Sequence, residues 1–282
     1  MPDLVKIIAG LTLGSLGGAL FHWLSLPLPW MLGALFVTMV ASISGAAIRG
    51  PTRLRPAIVA VIGVLLGSRF TPEVLDQAGQ TLVTLSILVV YLAAVGAVVV
   101  PYYRVVGRRD WITAYFAGMP GGLSEMIELG EAKGADVPAI VLAHSLRIVL
   151  TIGLILIVFR VVLAHKLGGR GVAVARQGIG ATDAMLLAGC AVLGALAAMR
   201  LRLPAPTFLG PLILSAVVHL TGLTTSLPPS ALVIAAQVAL GTILGCRFQG
   251  IPLASLARAG VLSLGATVLT LVLAAGAGLA MQ

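Results

Sequence analysis

Leu26-Pro27-Leu28-Pro29-Trp30-Met31-Leu32-Gly33 has an echo 177 residues on, Leu203-Pro204-Ala205-Pro206-Thr207-Phe208-Leu209-Gly210. Both prolines and the closing leucine-glycine keep their places, so the match does not rest on apolar bulk alone. Gly17 and Gly45 are answered at the same offset by Gly194 and Gly222. One residue later in register, Gly63-Val64-Leu65-Leu66-Gly67-Ser68-Arg69-Phe70 is answered by Gly241-Thr242-Ile243-Leu244-Gly245-Cys246-Arg247-Phe248. Two separated blocks that match with a single slip between them read as an internal duplication.

What is duplicated is apolar. Of 282 residues, 59% are hydrophobic and 10% charged, where soluble chains carry about 25% charged. Stretches near the roughly 20 residues that span a bilayer recur from Leu4 to Met281. They are continuous, as in Leu82 to Val100, and not alternating, which excludes a transmembrane β-barrel. The expected fold class is all-α: a polytopic membrane protein of about ten transmembrane segments in an internal duplication, with one broken or re-entrant helix. The first helices are expected at Leu4–Leu24, Trp30–Ile48, Pro56–Phe70 and Leu82–Tyr103. Residues 1–163 form the first repeat, 164–182 a glycine-rich basic linker, and 183–282 a second repeat. That repeat ends after its copy of the fourth helix, so the stretch at 111–130 is expected to exist once. Met1 to Leu24 has no basic leader and no Ala-x-Ala cleavage site, and reads as the first span.

The stretch without a copy is Trp111 to Arg147, WITAYFAGMPGGLSEMIELGEAKGADVPAIVLAHSLR. It carries a helix-breaking core and four of the nine acidic residues, Glu125, Glu128, Glu131 and Asp136. Intramembrane carboxylates are costly and are kept for function. Non-helical backbone at membrane depth is tolerated only against protein or a cavity. The candidate site for a solute or ion is therefore Pro120, Gly121 and Gly122 with Glu125 and Glu128, three apart and on one face of a following helix. His144 and Arg147 join it from the next helix; Arg147 is suited to an anion or to a glutamate partner. Glu131 and Asp136 read as a solvated loop end.

The net charge of +9, from 18 Lys and Arg against 9 acids, lies on short interhelical loops without interleaved aromatics. It sets topology and does not indicate nucleic acid. Loops at 49–55, 104–109 and 164–176 are basic, which puts the N-terminus in the cytoplasm. Arg200, Arg202, Arg247 and Arg258 suit an inverted second copy better, so parallel and inverted repeats both stay open. His22, His144, His165 and His219 are scattered, and Cys190 and Cys246 lie far apart, so no metal or disulfide is indicated. No nucleophile elbow or phosphate loop is present. Enzyme chemistry and cofactors are not expected.

The doubled Leu-Pro-x-Pro-x-x-Leu-Gly blocks, the doubled glycine-arginine-phenylalanine blocks and Gly118-Met119-Pro120-Gly121-Gly122-Leu123-Ser124-Glu125-Met126 resemble the AbrB family of bacterial membrane proteins. Gly134-Ala135-Asp136 and the His144-Ser145-Leu146-Arg147 helix belong to the same resemblance, which covers the whole chain. It implies a fold related to cation–proton antiporters and anion transporters. Family members carry the labels ammonia monooxygenase and regulator of gene expression; the first finds no residue basis here. Members usually have a second Gly-Gly-Leu-x-Glu element and a final helix, neither of which is expected within residues 1–282. The expected function is a secondary transporter of a small solute or ion in the bacterial inner membrane. The alternative is a membrane-embedded regulator acting indirectly on gene expression. The expected partners are the lipid bilayer, the solute and a second copy in a homodimer; the glycine-lined first and seventh helices could serve that interface, but packing within the chain is the expected use of their glycines.

Overall fold

A computed structural model of the chain describes residues 3–24, 26, 28–70, 78–121, 123–157, 180–250 and 253–279. At 78–83, 123–125, 127–128, 152, 155–157, 253–256 and 279 it describes the backbone alone. Most of the expected linker, 164–179, lies outside the described residues. So does Gly122.

The described residues form helices and connecting segments, with no strand. The helices are α1 (Asp3–Trp23), α2 (Pro29–Ile43), α3 (Arg55–Gly67), α4 (Ala78–Val105), α5 (Trp111–Gly118) and α6 (Leu123–Ala132). After them come α7 (Val137–Ile157), α8 (Ala181–Arg200), α9 (Pro206–Leu220), α10 (Ser230–Gly245) and α11 (Leu253–Leu279). Five helical stretches among the described residues are long and apolar enough to cross a membrane: Asp3–Trp23, Thr84–Val105, Ala181–Arg200, Ser230–Phe248 and Ala257–Gly278.

The proline blocks start helices. Pro29 and Pro206 occupy first-turn positions of α2 and α9, where a missing N–H costs nothing. Leu28 and Ala205, immediately before them, both adopt the left-handed conformation, at φ 46° and 44°. The second helix stops at Ile43, five residues short of the expected Ile48. Gly45, at φ +84°, sits where a left-handed glycine ends a helix, and residues 46–51 continue without helical structure. Gly222 follows α9 at φ +72°.

The helices divide into two compact units. The first holds α1 to α3 with α8 to α10. Within it α1 packs on α2, α8 on α9, α2 on α10 and α3 on α9. Glycines set these approaches. A Cβ at Gly17 would run into the Gly33 carbonyl, and one at Gly33 into the Gly17 carbonyl. Gly194 and Gly210 meet in the same reciprocal way. Small residues of this kind let helix backbones touch where no hydrophobic effect drives association. Gly63 lies against the Phe208 carbonyl and Gly67 against Leu212 and Ser215. Gly241 lies against the Met31 carbonyl and Gly245 against Leu35 and Thr38. So α3 runs parallel to α9, and α10 parallel to α2. Gly50, just before α3, touches Ile243 near the end of α10.

The second unit holds α4 to α7 with α11. Tyr91 on α4 donates to the Thr270 carbonyl of α11, 3.3 Å away, and Tyr103 stands 3.5 Å from Ser263. Those two helices therefore run antiparallel. Val95, Val99, Val100, Ala114, Ala117, Ala143 and Ala266 form the buried core between them and α5 and α7.

Candidate functional site

Asp110 opens α5. Its carboxylate accepts from the Thr113 N–H at 3.0 Å, the bond expected of an N-cap. The Thr113 hydroxyl, and after it that backbone bond, hold the Asp110 carboxyl below the usual carboxylate range. The helix lasts only eight residues. Met119 is extended, at φ −65° and ψ 136°, because a residue preceding proline is pushed out of the helical region by the ring of Pro120. The break strands the last carbonyls of α5, which in a helix end need outside partners.

Those partners come from α7. His144 Nε2 lies 2.8 Å from the Phe116 carbonyl oxygen. Arg147 Nη2 donates to the Ala117 carbonyl and, at 3.1 Å, to the Gly118 carbonyl. Arg147 Nη1 reaches the Met119 carbonyl at 3.4 Å. Four consecutive carbonyls, 116 to 119, are thus met by two side chains three residues apart on one helix face. A guanidinium is suited to this because its donors form a rigid planar fork. Its charge also opposes the partial negative charge at a helix C-terminus. Arg147 Nε is buried and has no hydrogen-bond partner among the described residues.

The segment then returns. The ten-residue α6 follows, and Asp136 beyond it caps α7 by accepting from Ala139 N–H at 3.2 Å. Its backbone N–H donates to the Thr113 hydroxyl at 2.9 Å. Its carboxylate accepts from Arg109 at 2.8 Å, in an ion pair whose side chains are 39% and 42% exposed. The end of the broken stretch thereby meets its beginning. Asp136, expected in a solvated loop, closes this base.

The structure brings His144 and Arg147 to the break at Met119 and Pro120. Gly121 is exposed beside it, with Met126 over its Cα. Glu125 and Glu128 lie on α6, but their side chains are outside the described residues, as is Gly122 altogether. Among the described residues no three His, Cys, Asp or Glu side chains are grouped to hold a metal.

The sequence reading missed a polar network in the first unit. Asp183 in the first turn of α8 accepts from the Thr224 and Ser226 hydroxyls, each at 2.8 Å. His219 is 5% exposed and stands against the Ser226 carbonyl. The pattern Thr224-x-Ser226 after a helix-ending glycine was the available signal, but nothing local points it at Asp183.

The AbrB family profile, described as "Transition state regulatory protein AbrB", matches residues 5–282. A protein of Escherichia coli (strain K12) named "Putative regulator AbrB" is 26% identical over 228 residues, covering 79% of this chain and 64% of that protein. "Uncharacterized protein YhjN" of Bacillus subtilis (strain 168) is 26% identical over 159 residues, covering 52% of this chain and 40% of its own length. The chain spans less than two thirds of the length of both relatives. No solved structure matches.

Proposed function

Since the chain belongs to the AbrB family, we propose that it is a multi-pass protein of the bacterial inner membrane and moves a small solute or ion, without enzyme chemistry. The observation that carries this reading is the broken α5 end whose carbonyls are held by His144 and Arg147. Secondary transporters place discontinuous helices, with exposed helix ends and a few charges, at their binding sites. Pro120, Gly121, Gly122, Glu125 and Glu128 complete the proposed site with those two residues.

Ten membrane segments in two inverted copies fit this reading. The support is geometric. Gly17 and Gly33 approach as Gly194 and Gly210 do, and Gly63 and Gly67 as Gly241 and Gly245 do. The fourth helices of the two copies, α4 and α11, are antiparallel. An inverted arrangement needs an odd number of crossings in the first copy, which makes 111–130 a re-entrant hairpin. The ion pair at its base, Arg109 with Asp136, favours that. A homodimer through the exposed helix faces belongs to the same proposal.

The test is flux through the purified full chain in proteoliposomes, using gradients of sodium, potassium, ammonium and small carboxylates as probes with a trapped pH dye. A probe that moves faster than in empty vesicles, and slows in Glu125→Gln or Arg147→Lys, supports the reading. Equal flux in wild type and both variants sinks the assigned site. The names of the family and of the E. coli relative favour a second reading, a regulator acting indirectly. A transcript change on deletion that a flux-dead point variant restores to normal would select it.

A further inference from the structure

Apart from the broken helix, one buried histidine is bonded in a way that a neutral ring cannot satisfy. His219 closes α9 and is 5% exposed. Its Nδ1 lies 2.7 Å from the Ser215 carbonyl oxygen, one turn back. Its Nε2 lies 3.1 Å from the Ser226 carbonyl oxygen, in the segment that follows the helix. Both partners are acceptors. A neutral imidazole has one N–H and one lone pair, so one of the two contacts would set lone pair against lone pair. The Ser215 hydroxyl offers no rescue. It lies 3.5 Å from Nδ1, and its single hydrogen goes to the Val64 carbonyl at 2.9 Å. Only the imidazolium donates to both oxygens.

A counter-charge, Asp183 on α8, is bonded to the same segment. Ser226 accepts at its carbonyl from His219 and donates from its hydroxyl to Asp183. Thr224 donates to the other Asp183 oxygen and accepts from the Ser226 N–H at 3.0 Å. The elements packed against α9 are α8 and α3. Their charged or titratable groups are Asp183, Cys190 and Arg200 on α8, with Arg55 on α3 and Arg69 just past its end. Of these, Asp183 is bonded to the segment that His219 holds.

We infer that His219 is a proton-binding site, and that the proton it takes clasps residues 222–228 between α8 and α9. With the proton bound, the segment is held at Ser226 from both sides, by His219 and by Asp183. Without it, one of the two histidine bonds is lost and the Asp183 side remains. The corresponding segment after α2 is tied differently. There Arg49 pairs with Asp3 at 2.9 Å and donates its N–H to the Lys6 carbonyl at 3.0 Å. That tie involves permanent charges at neutral pH and supplies an internal reference. The inference does not depend on the transport reading.

The test uses the full chain in detergent micelles with 15N-histidine. His219→Gln assigns the ring signals; if that variant does not fold, single Gln variants at His22, His144 and His165 assign them by elimination. Amide hydrogen exchange of 222–228 is followed from pH 5 to 9 and corrected for intrinsic exchange. The expected result is that His219 passes from imidazolium to neutral ring and that protection of 222–228 falls about tenfold with the same midpoint, the size of one charged hydrogen bond. Protection of 46–50 stays level. A His219 ring that takes no proton in this range, or protection of 222–228 that ignores its titration, overturns the inference.

Discussion

Arg109 and Asp136 are 27 residues apart in the chain and 2.8 Å apart in space. Everything between them, the short α5, the break at Pro120 and α6, leaves from and returns to this one ion pair. The pair itself is weak. Its side chains are about two-fifths exposed, and such pairs contribute about 0.2–1 kcal/mol. Asp136 does more than pair, since it also caps α7 and ties its own N–H to Thr113. Arg109→Ala is therefore expected to lower stability by less than about 1 kcal/mol. Asp136→Ala, which also loses the cap, should cost roughly 1–2 kcal/mol. Thermal unfolding of the two variants in micelles checks the order. Equal losses would mean that the cap contributes nothing.

Arg147 carries a larger share. Removing it leaves three helix-end carbonyls without their donors, and bonds to charged groups are worth about 1.5–3 kcal/mol each. Arg147→Ala is expected to cost on the order of 3 kcal/mol or more. Arg147→Lys keeps the charge but cannot span three acceptors with a planar fork, so it should fall between. Unfolding midpoints read both, and added guanidinium chloride at low millimolar concentration should recover part of the Arg147→Ala loss. A lysine variant as stable as wild type would show that charge alone suffices.

The sequence reveals the helices better than their meetings. Proline at Pro29 and Pro206 and glycine at Gly45 and Gly222 mark ends because they act locally, through a fixed φ or a left-handed turn. The expected second helix runs on to Ile48 because residues 44–48 are as apolar as the helix before them, whereas the helix ends at Ile43; the third ends at Gly67, before the expected Phe70. The break at Pro120 was also legible, and so was the shared face of His144 and Arg147. What Arg147 binds was not. Its charge suggested a glutamate or an anion. Among the described residues it meets backbone carbonyls, which every residue has and no sequence displays; the expected glutamate partners, Glu125 and Glu128, have their side chains outside the described residues. The Asp183 and Ser226 contact spans 43 residues and is set by how α8 packs on α9, so it too lay beyond local signals.

Asp110 makes the capping of α5 depend on pH. Its carboxyl is held below the usual range chiefly by hydrogen bonds from Thr113, so its folded value is lower than its unfolded one. The stabilisation is then full above the unfolded value, about 3.9, and is lost as pH falls through the folded one. Asp110→Ala should lose about 1 kcal/mol at pH 7. The gap between the two proteins should narrow in acid, below pH 4. Unfolding curves at pH 7 and pH 3 decide it; a gap of constant size means that the charge of Asp110 plays no part in the cap.

The matched glycine contacts allow a comparison of the two halves at the level of single atoms. An alanine at Gly17 would press its Cβ into the Gly33 carbonyl and Val37, and one at Gly194 into the Gly210 carbonyl. Backbone cannot yield as a side-chain tip can, so the two helices must separate. Overpacking of this kind costs about 1–3 kcal/mol. Gly189, on the same helix as Gly194, has nothing within 4 Å of an added Cβ. There alanine removes only the entropic cost of a helical glycine, and stability should hold or rise by up to about 1 kcal/mol. Gly17→Ala and Gly194→Ala are expected to destabilise by similar amounts, and Gly189→Ala not at all, in thermal unfolding of the full chain in micelles. If Gly17→Ala were harmful and Gly194→Ala silent, the two helix pairs would not share their packing, and the case for two copies would lose its geometric support.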